Sequence, residues 1–283
     1  MKLMYFNDFR LGVVKGENVV DVMPVVQKLM HTGPHDLINA LIENFDVWRP
    51  KLEDAVAKEA GVPISSVRIR PPLLRPATID CMAVNYMEDA TREAPAPINA
   101  FNKAPSAIIG KRATNVKAAD AMPYIFGYMC FIDGSARGLP PPSNVFFQMK
   151  SRDTFAPIGP YIVTADEIPD PHNLQITLKV NGEIKQNFNT SDMAHKIPRC
   201  IEWISSIHTL EPGDILATGT NHRGLSGFQD GDKIELEVEK CGKLTINVKD
   251  DLKRTWGRET RLDRQNKKLE GLTPQLTGKY AKK

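Results

Sequence analysis

The stretch Gln175-Ile176-Thr177-Leu178-Lys179-Val180-Asn181-Gly182-Glu183 decides the fold class. Its first six residues alternate polar and apolar side chains, the period-two pattern of a strand with one buried face. Asn181-Gly182 is a tight-hairpin dipeptide, so residues 183–188 form the expected return strand. The same grammar recurs downstream. Pro212-Gly213-Asp214 precedes an expected strand at 215–218, Asp230-Gly231-Asp232 precedes one at 233–238, and Gly242 separates that from another at 244–248. Ile197, Ile201, Ile204 and His208 lie at helical spacing and predict one amphipathic helix. No strand–helix–strand alternation is present, so a doubly wound parallel sheet is not expected.

Working outward, residues 3–21 read as a hairpin of β-branched runs around Lys15-Gly16-Glu17, and helical patterns follow at 36–44 and 53–60. Residues 67–76 hold three prolines and read as an extended connection. The expected chain is α+β and mostly β: a small amino-terminal α/β domain over 1–70, a main domain over 71–250 and a polar tail over 251–283. The lysine pairs Lys267-Lys268 and Lys282-Lys283 in the tail read as a solvated surface or a partner-binding arm.

The 283 residues carry 37 basic and 34 acidic side chains, a formal charge of +3, and no long basic stripe, so a nucleic-acid partner is not expected. Apolar runs such as 11–14 are far too short to cross a bilayer, and residues 1–8 lack the pattern of a secretory leader. Cys81, Cys130, Cys200 and Cys241 are scattered, with no C-x-x-C pair; reduced thiols and a cytoplasmic location are expected. Cys130, in the apolar run 128–132, reads as a small buried hydrophobe rather than a nucleophile.

Three clusters are poor choices for mere packing. Asp133 follows the apolar run Tyr128-Met129-Cys130-Phe131-Ile132, where a carboxylate is costly unless paired or bound to a cation. Gln148-Met149-Lys150-Ser151-Arg152-Asp153-Thr154-Phe155 brings charges and hydroxyls together. Thr218-Gly219-Thr220-Asn221-His222-Arg223-Gly224 is a glycine-flanked loop suited to an oxyanion or carboxylate. Singly, each has a plain structural reading: a turn before Gly134, a surface ion pair, a strand end. Their joint appearance in this order carries the weight.

That order resembles the fumarylacetoacetate hydrolase family. The matching signals include Asn85-Tyr86, Gly127-Tyr128, Asp133 with Ser135-Ala136-Arg137, Lys150-Ser151 with Asp153-Thr154-Phe155, Pro157-Ile158-Gly159-Pro160, Asn181-Gly182-Glu183 and Thr218-Gly219-Thr220. The resemblance implies a mixed β-roll main domain and a bound Mg²⁺ or Mn²⁺. It also implies enolate chemistry on 2-oxo or 1,3-dioxo acids in catabolism: C–C hydrolysis of acylpyruvates, or hydration, isomerisation or decarboxylation of related diacids. By position it makes Asp133 and Thr154 metal-site residues, Lys150 the cationic catalytic residue, and Thr220 and Arg137 substrate contacts. His222 is a further candidate substrate contact, and a homodimer is the expected assembly.

The chain departs from the family pattern in three places. An E-x-E pair that supplies two metal ligands is missing: Ser106-Ala107-Ile108-Ile109-Gly110 runs directly into Lys111-Arg112-Ala113-Thr114, and Asn102 and Ala104 fall in the glutamate register. Asp89 stands where many members place a basic histidine, and Asp89 and Glu93, one helical turn apart, are a candidate carboxylate pair for proton transfer. Gly138-Leu139-Pro140 replaces an acid and a glutamine of some hydrolases. A catalytically impaired member, acting as a small-acid binder or dimer partner, is the alternative reading.

Overall fold

The computed structural model describes residues 1–76, 78–102, 107–137, 146–271, 273–279 and 281. Ala104, Gly138-Leu139-Pro140 and Lys282-Lys283 lie outside them. Among the described residues, eleven strands form one sheet and four form another. The long sheet runs, in spatial order, through 62–63, 18–21, 10–15, 2–6, 158–164, 125–131, 107–109, 215–217, 79–82 and 100–102, with 69–70 pairing beside 2–6. All its described pairings are antiparallel except that of Ile215–Ala217 with Ile79–Met82. The second sheet is the expected hairpin, Gln175–Val180 with Glu183–Asn189, extended by Lys233–Val238 and Gly242–Asn247. Asn181 and Gly182 both take positive φ (52° and 85°), the conformation that this two-residue turn demands.

Two apolar clusters hold these layers. The larger joins both sheets to the helix Ile197–Ser205, which buries Ile197, Cys200, Ile201 and Ile204. Each such aliphatic side chain contributes roughly 1.5–3 kcal/mol. The helix stops short of His208. The Ser206 hydroxyl turns back to the Trp203 carbonyl (2.6 Å), a local bond that competes with helix continuation. The His208 ring instead meets the buried carboxylate of Asp80 at 3.1 Å.

The second cluster packs the helices Pro34–Glu43 and Phe45–Lys58 on Leu3, Leu11 and Val20, and on Ile108, Phe126, Ile162 and Ile215 of the central strands. Residues 1–70 are thus built into the long sheet, with Leu3 opposite Ile162.

The tail differs from a free solvated surface. Trp256 bridges to Gln275, the Arg261 and Leu262 amides donate to the Leu225 and Arg223 carbonyls (2.8 Å each), and Arg258 forks onto buried Asp232 at 2.6 and 2.8 Å. Arg258 is an anchor, whereas Lys267 and Lys268 are exposed, and composition alone does not separate an anchoring charge from a solvated one. No helix among the described residues is long and apolar enough to cross a membrane. All four cysteines are buried thiols, as expected for Cys130.

Candidate active site

The buried strand Ile125–Phe131 delivers Asp133 to the end of the sheet. The following turn is strapped to residues 146–155: Gly134 N–H donates to the Phe155 carbonyl (3.1 Å) and Ala136 N–H to that of Met149 (2.9 Å). A Cβ at Gly134 would sit 3.1 Å from that Phe155 oxygen, so the close approach favours glycine. The strap aligns the short helix Phe146–Lys150, and the Lys150 ammonium bonds the Asp133 carboxylate directly. Lys150 is buried while Asp133 keeps water access, with 29% of its side chain exposed. The ammonium also lies 4.8 Å from the Phe101 ring, which stacks on Phe146. Beside this centre is an open groove of about 490 Å³ lined by Ala136, Ser151, Arg152, Asp153, Phe155 and Arg254.

A second cluster forms on the turn after Asn85-Tyr86. Asn85, itself buried, donates to the Thr218 and His195 carbonyls (2.9 and 3.0 Å) and accepts from the His195 amide (2.8 Å). That pins the turn to the Thr-Gly-Thr loop. Glu88, Asp89 and Ala90 then take left-handed φ of 57°, 57° and 59°, each costing roughly 1–2 kcal/mol. Asp192 helps to offset the strain by accepting from the Asp89 and Ala90 amides (3.0 and 3.4 Å). Glu88 takes both the amide and the ring Nδ1 of His222, at 2.7 and 2.8 Å. Burial raises the Glu88 pKa, but the His222 ring and amide outweigh it and hold the group below its ordinary value. Asp89 pairs with Arg223 (2.9 Å) and accepts from Asn221 (3.0 Å).

The sequence-derived candidates therefore divide between two places. Asp133 and Lys150 meet as expected. Thr154, next to the groove, is exposed in a left-handed turn (φ 64°), and its hydroxyl has no protein partner among the described residues. Arg137 is exposed just after the Asp133 turn. Thr220 bonds Gln186 (2.9 Å) and the Asn221 carbonyl (3.3 Å), so its contacts belong to the second cluster, with His222. The helical spacing expected of Asp89 and Glu93 is not realised: residues 88–94 are turns and bends, and Glu93 is exposed. The residue missed is Glu88, and the left-handed run that aims it at His222 leaves no glycine or asparagine signal in Glu88-Asp89-Ala90.

The comparisons agree with this architecture. The profile described as fumarylacetoacetate (FAA) hydrolase C-terminal matches residues 106–249. Maleylpyruvate hydrolase of Aquipseudomonas alcaligenes is 31% identical over 290 aligned positions, covering 88% of this chain and 99% of the relative. Oxaloacetate tautomerase YisK of Bacillus subtilis is 30% identical over 285 positions, with 83% and 94% covered. The crystal structure of maleylpyruvate hydrolase from Sphingobium sp. SYK-6 in complex with manganese(II) and pyruvate superposes with a TM-score of 0.77 at 30% identity, covering 88% of this chain and 99% of that one. Fold and comparisons define a mixed α+β protein, richer in strand than in helix. The chain belongs to the fumarylacetoacetate hydrolase family. Since 88% of 283 residues is about 249, about forty of the hydrolase's 290 aligned positions face no residue of this chain; the tautomerase leaves about fifty.

The donor chemistry of the described residues does not fit a resident dication. Asp133 is the carboxylate at the centre, and its charge is already met by the Lys150 ammonium. Thr154 is neutral. The strand Ala107–Ile109 pairs with Ile125–Phe131 and Ile215–Ala217, whereas Ala100–Asn102 pairs with Ile79–Met82. Asn102 thus stands on a different strand from residues 107–109.

Proposed function

We propose that this chain acts on small 2-oxo acids, and that keto–enol isomerisation of an oxaloacetate-like diacid is the reaction its own residues support best. The observation that carries this is the buried Lys150 ammonium, fixed by Asp133 and followed directly in the chain by the groove-lining residues Ser151, Arg152 and Asp153. A preorganised ammonium in a partly dry site stabilises a developing enolate oxygen. Isomerisation asks little more: one proton leaves the carbon beside the ketone, one is added to the oxygen, and no carbon–carbon bond breaks. Asp89 is engaged by Arg223 and Asn221, and the Glu88–His222 pair lies in the second cluster, so neither is assigned the proton-accepting role at Lys150. Hydrolysis of an acylpyruvate is more demanding, since water must add and a carbanion must leave, and it gains most from a cation. The relatives named for oxaloacetate tautomerisation and maleylpyruvate hydrolysis bracket these two reactions.

A second reading, a binder of 2-oxo acids without turnover, is favoured by the neutralised Asp133 and by the aligned positions that have no counterpart here. The test is the decay of enol-oxaloacetate absorbance, and separately maleylpyruvate cleavage, with and without Mn²⁺. Accelerated enol decay that Lys150→Met abolishes supports isomerisation. Cleavage without isomerisation overturns it, and pyruvate binding with neither reaction selects the binder.

A further inference from the structure

The groove lined by Ser151, Arg152 and Asp153, the residues that follow Lys150 in the chain, is walled in part by a residue beyond the family match. That match ends at residue 249, yet Arg254 lines the groove together with Ser151 and Arg152. Arg254 is held in place from three sides. Its Nε and Nη2 fork onto Asp250 at 2.8 and 3.0 Å, its guanidinium lies 5.7 Å from the Trp256 ring, and its stem packs so closely on the tail that a Cβ at Gly278 would come within 2.9 Å of Cγ. The fork pushes the Asp250 pKa down to about 2, so the carboxylate is ionised at neutral pH. This fork uses one edge of the guanidinium and leaves Nη1 with no protein partner among the described residues. Arg152 spends only Nε, on the Gln148 carbonyl (3.0 Å), and pairs with no carboxylate among the described residues. Two guanidinium groups with uncommitted N–H donors therefore border one groove, against the single acid Asp153.

We infer that Arg254, together with Arg152, binds the second carboxylate of a dicarboxylic 2-oxo acid whose oxo-acid end lies at Lys150. The tail is thereby a specificity element of this chain. The inference rests on the reading of the Lys150 centre given above and adds the substrate's distal charge to it. A guanidinium held by one edge suits this task, because its remaining donors meet a carboxylate without further ordering. A mono-acid such as pyruvate reaches Lys150 but offers nothing to Arg254.

The test is calorimetric binding of fresh oxaloacetate and of pyruvate to the full chain and to Arg254→Met and Arg152→Met, with thermal unfolding recorded for each. Loss of one charge-assisted contact weakens oxaloacetate by ~10-fold or more in either variant, while pyruvate changes less than about twofold. Equal weakening of both acids, or no change in either, overturns the assignment of the arginines and leaves the Lys150 centre standing. Failure of the unmodified chain to bind either acid overturns the centre, and this inference with it. Should Arg254→Met unfold the tail, exposed Arg152→Met carries the same discrimination.

Discussion

Replacing Lys150 by methionine should create a cation site rather than destroy one. In the native centre the ammonium touches Asp133, so a dication on the same carboxylate would sit about 4–5 Å from a positive charge. With a water-accessible carboxylate the effective dielectric is about 40–80, and repulsion between the two cations amounts to about 2–4 kcal/mol. Removing it should tighten Mn²⁺ binding by ~30- to 900-fold. The fold should tolerate the change. Methionine fills nearly the same volume over the Phe101 ring, and because 29% of Asp133 is exposed, loss of this ion pair costs about 1–2 kcal/mol rather than the ~3–5 of a fully buried pair. The assay is Mn²⁺ titration by calorimetry on the native chain, on Lys150→Met and on Lys150→Met with Asp133→Asn. Weak, unsaturated binding, then a clear gain, then its loss is the expected series. Tight binding by the native chain, or no gain on removing the ammonium, refutes the reasoning that the Lys150 ammonium opposes a cation at Asp133.

Asn85→Ala should lower stability by ~2–4 kcal/mol in denaturant unfolding, since it strands buried donors and acceptors on two loops; a loss below ~1 kcal/mol would contradict the pinning role. His208→Ala should cost ~1–3 kcal/mol by removing the ring bonded to buried Asp80, whose pKa burial raises and the ring lowers; an unchanged midpoint would show that other contacts suffice. The Asp232–Arg258 fork should make the tail acid-labile. Burial raises the Asp232 pKa, but Arg258, the Gln229 amide and Asn181 outweigh it. The net lowering means that this contribution is present above the ordinary aspartate value and lost as pH falls through the depressed one. Limited proteolysis should cut the tail at acidic pH in the native chain and already at neutral pH in Arg258→Met; equal resistance of the two at neutral pH would exclude the anchor.

The hairpin at 175–189, the strands at 215–217 and 233–238 and the apolar face of the 197–205 helix are all legible in the sequence. Their signals are local: a period of two, an Asn-Gly turn, isoleucines three and four apart. Family membership is legible for the same reason, because short motifs keep their order along the chain. Motif order marks Asp133 and Lys150 as candidates for one centre, but their direct ion pair, 17 residues apart, is a finding of the structure.

What tertiary structure alone decides is which charges meet. Glu88 finds His222 across 134 residues, Arg258 finds Asp232 across 26, and Asp89 turns away from Glu93 because left-handed backbone replaces the helix that its spacing suggests. Nor does a polar tail reveal that one of its arginines walls a groove more than a hundred residues upstream. Periodicity and turn chemistry act through neighbours in sequence, whereas a carboxylate's partner is chosen by burial: only the packed chain determines which cation lies near enough to offset the loss of water.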